Sequence, residues 1–196
     1  TSLALSREGY FTYATMRNLK KADAIKKIAE DEGLPLKVIE LDVDNENSVE
    51  DAIKSIIGEK QRIDVLVNNA GILRGARLVN TSDDVWDQTV AINQTGVFYG
   101  MRAVAPIMIE QGSGSIVNIS SVAGLEATFA SMAYGATKWA VRGMTKIAAL
   151  ELGRHNVRVN SIHPGLINTD MTSEFDKDRM VRAIPLGREA EPSEVA

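Results

Sequence analysis

A tyrosine and a lysine stand four residues apart in the sequence, as Tyr134 and Lys138. In a helix this spacing places both side chains on one face, about one turn apart. A tyrosine has a pKa near 10 and is a poor acid–base group at neutral pH, but a neighbouring ammonium stabilises its phenolate and lowers that pKa. The pair could therefore perform general acid–base catalysis. Because such pairs are also common in ordinary helices, the surrounding residues must decide between the two interpretations.

Polar and small residues follow three apolar runs of the chain. Ser120-Ser121 comes directly after one run, and the second serine precedes Tyr134 by thirteen residues. Asn68-Asn69-Ala70-Gly71 follows another run, and Pro164–Thr169 follows the last. In a parallel sheet the carboxyl ends of the strands line the ligand crevice. Three such ends and the Tyr134–Lys138 pair predict one site at a single rim of a sheet.

The scaffold for this site is predicted from short apolar runs that alternate with segments of helical period. The runs are rich in valine and isoleucine, which is typical of strands buried on both faces of a parallel sheet. The predicted strands are Tyr10–Ala14, Leu36–Leu41, Ile63–Val67, Ser115–Ile119 and Val157–Ile162. The alternation predicts an α/β protein with a Rossmann-type doubly wound parallel sheet, in a single domain over residues 1–196.

Three signals predict the helices between these strands. Apolar residues at helical spacing form a stripe at Val49, Ala52, Ile53, Ile56 and Ile57. Thr81-Ser82-Asp83-Asp84 is typical of a capping box at the start of a helix. Two long helices are predicted at about Thr95–Glu110 and Ala133–Leu152.

The two ends of the chain resemble the interior of a longer protein. Thr1 to Arg7 is typical of the second half of a helix that stops at Gly9. A dinucleotide-binding fold places a strand and a glycine-rich turn before such a helix, and the sequence contains no such turn. Pro192–Ala196 begins another helix. We therefore expect the first strand, the glycine-rich turn and the last strand to lie outside these residues.

Composition narrows the classes of function. The chain has 196 residues, a formal net charge of -4, 44% hydrophobic residues and no cysteine. The scattered basic residues do not favour a nucleic-acid partner, and the lack of cysteine excludes disulfides and thiolate metal sites. No apolar run approaches the roughly 18 residues that a membrane span needs. We expect a soluble, cytoplasmic protein without a metal site or a membrane partner.

The motifs taken together resemble the short-chain dehydrogenase/reductase family. Asn68–Gly71 is similar to its N-N-A-G motif, and Tyr134–Lys138 to its Y-x-x-x-K motif. The spacing from Ser121 to Tyr134 and the P-G-x-I-x-T pattern after the last strand also match. The resemblance covers essentially the whole chain. It implies hydride transfer between a nicotinamide dinucleotide and a carbonyl or alcohol substrate.

The resemblance also implies roles for individual residues. Tyr134 would be the general acid in reduction and the base in oxidation, and Lys138 would lower its pKa and bind the nicotinamide ribose. Ser121, rather than Ser120, would orient the substrate oxygen. Asn93 would hold a water of the proton relay, or relieve a kink in its helix, and the two roles are compatible.

Further positions would contact the cofactor. Asp42 would accept a hydrogen bond from the adenine amino group, although it could instead cap a helix. The other implied contacts are Val43 beside Asp42, Asn69, Ala70 and Gly71 at the adenosine, Ile167 and Thr169 at the carboxamide, and Pro164 and Gly165, which shape the approach. His163 and Trp86 are expected to be structural, and Met101, Met108 and Met144 to fill the core or an interface.

The residue after the first predicted strand bears on the choice of dinucleotide. An acidic residue there would bind the ribose hydroxyls of NAD. The stretch Thr12–Asn18 has no acidic residue and contains Arg17, whose guanidinium could pair with a 2′-phosphate. NADP(H) is therefore expected in preference to NAD(H), unless Arg17 is a solvated surface charge.

Several alternatives remain open on substrate and class. The segments around Ser121 and Lys138 look most like bacterial 3α/20β-hydroxysteroid dehydrogenases, whereas Asn168–Met171 also suits reductases of 3-oxoacyl thioesters on acyl carrier protein. The variable segment around Thr172–Ala183 would select the substrate. A non-catalytic dinucleotide sensor is the alternative of another class. In this family the helix that carries Trp139 pairs between subunits, which implies a homodimer or homotetramer.

Overall fold

Residues 1–173 and 176–196 are described by a computed structural model of the chain. The helices are α1 (Ser2–Arg7), α2 (Asp23–Asp31), α3 (Glu46–Lys60), α4 (Asp83–Val90), α5 (Gly96–Gln111), α6 (Met132–Leu152) and α7 (Lys177–Val181). The strands are β1 (Thr12–Met16), β2 (Leu36–Glu40), β3 (Val65–Asn68), β4 (Gly114–Ile119) and β5 (Val157–Ile162). Strand and helix alternate in a doubly wound α/β arrangement, as predicted.

All strand pairs among the described residues are parallel. β1 pairs with β2 from Thr12–Leu36 to Met16–Glu40. β4 lies between β3 and β5, with Asn68 opposite Asn118 and Ile119 opposite Ile162. Over the described part of the chain no β-bridge joins the pair to the trio. The carboxyl ends of β3, β4 and β5 therefore stand side by side, which is the rim that the sequence predicts.

The core lies between the helices α3, α5 and α6 and the sheet. Val104, Met108, Ile116 and Val141 are fully buried there, and Met101 joins the same cluster. The methionines thus fill the core, since Met144 also packs against it. No helix in the described ranges is both long and apolar enough to cross a membrane.

The first predicted strand begins two residues too early. Tyr10 and Phe11 are exposed, and the Tyr10 amide donates to Leu5 to close the end of α1. The ladder starts only at Thr12, whose amide donates to Pro35. Tyr10 therefore belongs to the end of α1, although the apolar pattern alone assigns it to the strand.

The predicted capping box at the start of α4 is wrong in detail. Ser82 caps the helix, and its Oγ accepts from the Val85 amide at 3.3 Å. The reciprocal bond cannot form because Val85, the third residue of the helix, has no polar side chain.

The helix predicted at Thr95–Glu110 corresponds to α5 with a shift of one residue, but it continues a helical segment that begins with α4. One π-helical turn, Ala91–Thr95, joins α4 to α5 without a loop. π-Helical turns inside helices are frequent at functional sites, because the extra residue shifts the register of the side chains. Asn93 lies at the centre of this turn.

Candidate active site

Tyr134 and Lys138 share the buried face of α6. Tyr134 is 9% exposed and Lys138 5% exposed, and the Lys138 Nζ lies 5.4 Å from the centroid of the tyrosine ring. The structure therefore brings the two side chains together, as their spacing predicts.

The end of β4 holds Lys138 from two sides. The Lys138 Nζ donates to the Ile119 carbonyl at 2.8 Å. The Ser120 Oγ donates to the backbone carbonyl of Lys138 at 2.9 Å. A Cβ added at Gly124 would meet the Ser120 Oγ at 2.6 Å and the Lys138 carbonyl oxygen at 2.7 Å. The close approach of the 3₁₀ turn Val122–Gly124 to α6 therefore requires glycine at this position.

Ser120 and Ser121 have different tasks. The Ser120 hydroxyl donates to the Lys138 carbonyl on α6, whereas the Ser121 hydroxyl hydrogen-bonds Tyr134. The Ser121 Oγ also accepts from the Ala123 amide at 3.2 Å. Ser121 is thus the serine placed beside the phenol, in agreement with the choice made from spacing.

The pKa of Tyr134 differs from the value that the sequence predicts. Burial raises the pKa of Tyr134 above its ordinary value, and the hydrogen bond from Ser121 only partly opposes this. Burial also lowers the pKa of Lys138 to about 8. The prediction that the pKa of Tyr134 is lowered is wrong for this structure, because loss of water disfavours the charged form of both groups. The ammonium also points to the Ile119 carbonyl.

Asn93 fastens the loop after β3 to the helices. Its Oδ1 accepts from the Ile72 amide and its Nδ2 donates to the Ile72 carbonyl, both at 2.8 Å. The Nδ2 also donates to the Thr137 Oγ1 at 3.3 Å. The side chain therefore has a structural role at the π-helical turn, and a role in a water relay stays a prediction.

Thr137 is a residue of the site that sequence reasoning missed. It is fully buried, and its Oγ1 donates to the Tyr134 carbonyl at 2.7 Å while it accepts from Asn93. Its position three residues after Tyr134, on the same face of the helix, was the available signal.

Gly71 lies beside Asn93 and Lys138. A Cβ there would lie 3.4 Å from the Asn93 Oδ1 and 3.7 Å from the Lys138 Nζ. The resemblance implied a place at the adenosine for Asn69, Ala70 and Gly71. Gly71 lies next to the lysine, Asn69 and Ala70 are exposed, and contacts of the three with an adenosine stay a prediction.

Arg17 follows the carboxyl end of β1, and Asp42 and Val43 follow that of its parallel neighbour β2. Burial and the neighbouring Asp44 raise the pKa of Asp42, and the positive charge of Arg17 opposes this rise. The Asp42 amide is held by the Ser48 Oγ at 3.0 Å. A Cβ at Gly96 would meet the Val43 carbonyl oxygen at 2.9 Å, so this segment packs tightly on α5.

The segment after β5 folds back on the end of β4. The Pro164 carbonyl accepts from the Val122 amide at 3.0 Å. Ile167 forms an isolated bridge with Ala190, and its carbonyl accepts from the Thr172 hydroxyl at 2.6 Å. Thr169 and Gly165 are exposed. Residues 174 and 175 of the expected substrate-selecting segment lie outside the described residues.

Comparison with known proteins identifies relatives of this chain. A model of the short chain dehydrogenase family matches residues 1–180. A 3-oxoacyl-acyl-carrier-protein reductase from Thermotoga maritima is 40% identical over 201 residues, which cover 100% of this chain and 81% of the relative. A 3-alpha-(or 20-beta)-hydroxysteroid dehydrogenase from Mycobacterium tuberculosis is 53% identical over 132 residues, which cover 67% of this chain and 50% of the relative.

A solved structure has the same fold over nearly the whole chain. It is a gluconate 5-dehydrogenase from Burkholderia cenocepacia in complex with NADP and tartrate. The TM-score is 0.91 at 32% identity, over 97% of this chain and 76% of that one.

Proposed function

Because this chain belongs to the short-chain dehydrogenase family of NAD(P)-dependent oxidoreductases, we propose that it reduces a ketone to a secondary alcohol with NADPH. The observation that carries the proposal is the buried group formed by Tyr134, Lys138 and the Ser121 hydroxyl at the end of β4. These three side chains have the chemistry that reduction of a carbonyl requires from the protein.

The chain's own residues supply the proton. Tyr134 has a raised pKa and is neutral at pH 7, so its hydroxyl donates a proton to the carbonyl oxygen as a general acid. Ser121 donates a hydrogen bond to the same oxygen and orients it. The Lys138 ammonium then stabilises the phenolate that remains, and in this water-poor site the stabilisation is larger than in solvent.

The dinucleotide fits the residues of the rim. When bound, it supplies the hydride that reaches the carbonyl carbon. Lys138 uses one of its three N–H donors on Ile119, and two remain for ribose hydroxyls. Gly71 leaves room for a close approach beside that ammonium. In the proposed complex the adenosine would lie beside Asp42 and Arg17, which are close enough for the charge of Arg17 to lower the pKa of Asp42.

The preference for NADP(H) is proposed from Arg17. This residue is exposed directly after β1 and lies close enough to Asp42 to influence its pKa. A guanidinium in that place suits a 2′-phosphate, and the NADP complex of the gluconate 5-dehydrogenase supports this assignment.

Replacement of Arg17 tests the preference for NADP(H). Arg17→Asp should lower kcat/KM for NADPH about tenfold or more and favour NADH, because a carboxylate repels the phosphate and accepts from ribose hydroxyls. Lys20→Asp, four residues beyond the strand end in an exposed 3₁₀ turn, is the control for charge alone. Equal losses with both dinucleotides would refute the role of Arg17.

A hydroxysteroid-like ketone is the proposed substrate class. The 53% identity to the mycobacterial hydroxysteroid dehydrogenase supports it, over the 132 residues that match. The second candidate is a 3-oxoacyl thioester, which the Thermotoga maritima reductase supports over the whole chain.

A panel of ketosteroids, simple cyclic ketones and acetoacetyl thioesters decides between these candidates. NADPH oxidation is measured for each compound. Turnover of ketosteroids without turnover of thioesters supports the first class, and the reverse supports the second. Tight NADPH binding without turnover of any carbonyl would favour a non-catalytic sensor.

A further inference from the structure

His163 lies directly behind Ser121, in the turn that follows β5. Its Nδ1 is 3.1 Å from the Ser121 carbonyl oxygen, and its Nε2 is 2.9 Å from the Ser161 Oγ. The ring is partly buried between the ends of β4 and β5. The proton transfer proposed above does not use this imidazole.

The partners of the ring determine its tautomer. A carbonyl oxygen only accepts, so Nδ1 must carry the proton that bonds to Ser121. In the neutral ring Nε2 is then an acceptor, and the Ser161 hydroxyl donates to it. The Ser121 carbonyl thereby fixes the tautomer of His163, and Ser161, which lies on β5, holds the ring in its orientation.

His163 completes a set of contacts that immobilise Ser121. The hydrogen bonds between β4 and β5 continue past the ends of the two strands. The Ser120 amide donates to the Ile162 carbonyl at 2.8 Å, and the Val122 amide donates to the Pro164 carbonyl at 3.0 Å. Between these two bonds the Ser121 carbonyl oxygen accepts from two donors, the Gly124 amide at 2.9 Å and the His163 imidazole at 3.1 Å. The peptide that follows Ser121 is therefore held at both its oxygen and its nitrogen.

The orientation of this peptide controls the serine hydroxyl. The Ala123 amide, one residue beyond the held peptide, donates to the Ser121 Oγ at 3.2 Å. Because that bond occupies the oxygen as an acceptor, the hydroxyl proton is directed elsewhere, toward Tyr134 and the carbonyl oxygen to be reduced. A rotated peptide would displace the Ala123 amide and release the hydroxyl.

We propose that His163 is a positioning residue of the reductase, which acts through the Ser121 carbonyl to aim the Ser121 hydroxyl at the reacting oxygen. This proposal rests on the proposed function, since it assigns a task within the same site. The imidazole does not touch the substrate or exchange a proton with it.

A double-mutant cycle tests whether His163 acts through Ser121. His163→Ala should lower kcat about tenfold and leave the KM for NADPH unchanged, because only the orientation of a catalytic group is lost. In the Ser121→Ala background the same replacement should change kcat less than about twofold, since the group to be oriented is gone. Equal factors in the two backgrounds would overturn the proposal.

Conservative replacement separates positioning from packing. His163→Asn keeps an N–H donor near the place of Nδ1 and should recover most of the lost kcat, whereas His163→Ala should not. His155→Ala is the matched control. His155 is the other histidine of the sequence, lies in the turn before β5 and contacts Arg154. Recovery no better with asparagine than with alanine would count against the hydrogen bond.

Nitrogen-15 NMR of the imidazoles gives a readout that does not depend on turnover. The His155→Ala variant assigns the remaining signal to His163. A proton on Nδ1 supports the bond to Ser121, and a neutral ring with its proton on Nε2 overturns it. If the protein reduces no carbonyl in the panel, the proposed function fails, and the tautomer still decides whether His163 holds Ser121.

Discussion

Burial acts in opposite directions on the pKa values of Tyr134 and Lys138. It raises that of the tyrosine and lowers that of the lysine to about 8. The spacing of the two residues predicts that they meet, because the geometry of a helix fixes it. Spacing does not reveal how much water surrounds them, so the sequence gives the wrong direction for the pKa of the phenol.

The phenol hydroxyl is the group whose removal should affect catalysis most. Tyr134→Phe should lower kcat about a hundredfold or more, because general acid catalysis is lost while the ring keeps its packing. Affinity for NADPH, measured by fluorescence titration, should stay within about twofold of the starting value. Tyr99→Phe, on α5, is the control. Full activity of Tyr134→Phe would refute the proposed mechanism.

The buried ammonium should make stability depend on pH in a defined window. The pKa of Lys138 is about 8 in the folded protein and 10.5 as its ordinary value, so between these values the unfolded chain binds more protons. The free energy of unfolding should therefore rise with pH across this window, relative to a variant without the lysine. Below about pH 8 the charged lysine costs stability.

Urea unfolding at pH 8 and pH 10 measures this effect. Lys138→Met should lose the pH-dependent gain, whereas Lys146→Met, on the exposed face of the same helix, should keep it. Parallel pH dependences for the original protein and Lys138→Met would contradict the burial of a titrating ammonium.

At the scale of the elements, the sequence predicts which segments are helices and strands better than it predicts where they join. The apolar runs locate all five described strands, and β5 agrees at both ends. The π-helical turn Ala91–Thr95 has no comparable signal, because Asn93 is stabilised by the Ile72 backbone and Thr137, which are distant in sequence. Tertiary contacts therefore decide the register of this helix.

The approach of the 3₁₀ turn to α6 makes Gly124 sensitive to added volume. Gly124→Ala should cost about 1–3 kcal/mol of unfolding free energy, because its methyl group would overlap the Ser120 Oγ and the Lys138 carbonyl. It should also lower kcat, since both atoms position the lysine. Gly58→Ala, exposed near the end of α3 with nothing within 4 Å of its Cβ, should instead gain about 0.5–1 kcal/mol.

Thermal and urea unfolding, with kcat measured in parallel, distinguish these two glycine variants. A Gly124→Ala protein as stable and as active as the original would show that the turn can move away from α6. Loss of stability in both variants would indicate a general effect of alanine rather than a local overlap.

At the scale of the whole molecule, the described strands form a pair and a trio that share no hydrogen bond. The site lies at the carboxyl ends of the trio, so the three strand ends and α6 determine its geometry. The sequence predicts this rim correctly because strand order does not change which end of a strand carries the polar residues.

The outer face of α6 predicts self-association. Trp139, Ile147 and Leu150 are 47%, 59% and 85% exposed and share one face of the helix. Gly143, within this stripe, has open space around its Cβ position. Apolar side chains exposed in a row often mark a protein interface, and a small residue among them allows two helices to approach closely. We propose that a second copy of the chain covers this face.

Light scattering after size-exclusion chromatography measures the assembly. The protein should elute at a multiple of its protomer mass, and Leu150→Glu should shift it to the monomer because a carboxylate cannot be buried unpaired in the interface. Leu186→Glu introduces the same charge at a leucine that is 79% exposed outside α6 and should leave the assembly intact. A monomer at all concentrations, or an assembly unaffected by Leu150→Glu, would exclude this face as the interface.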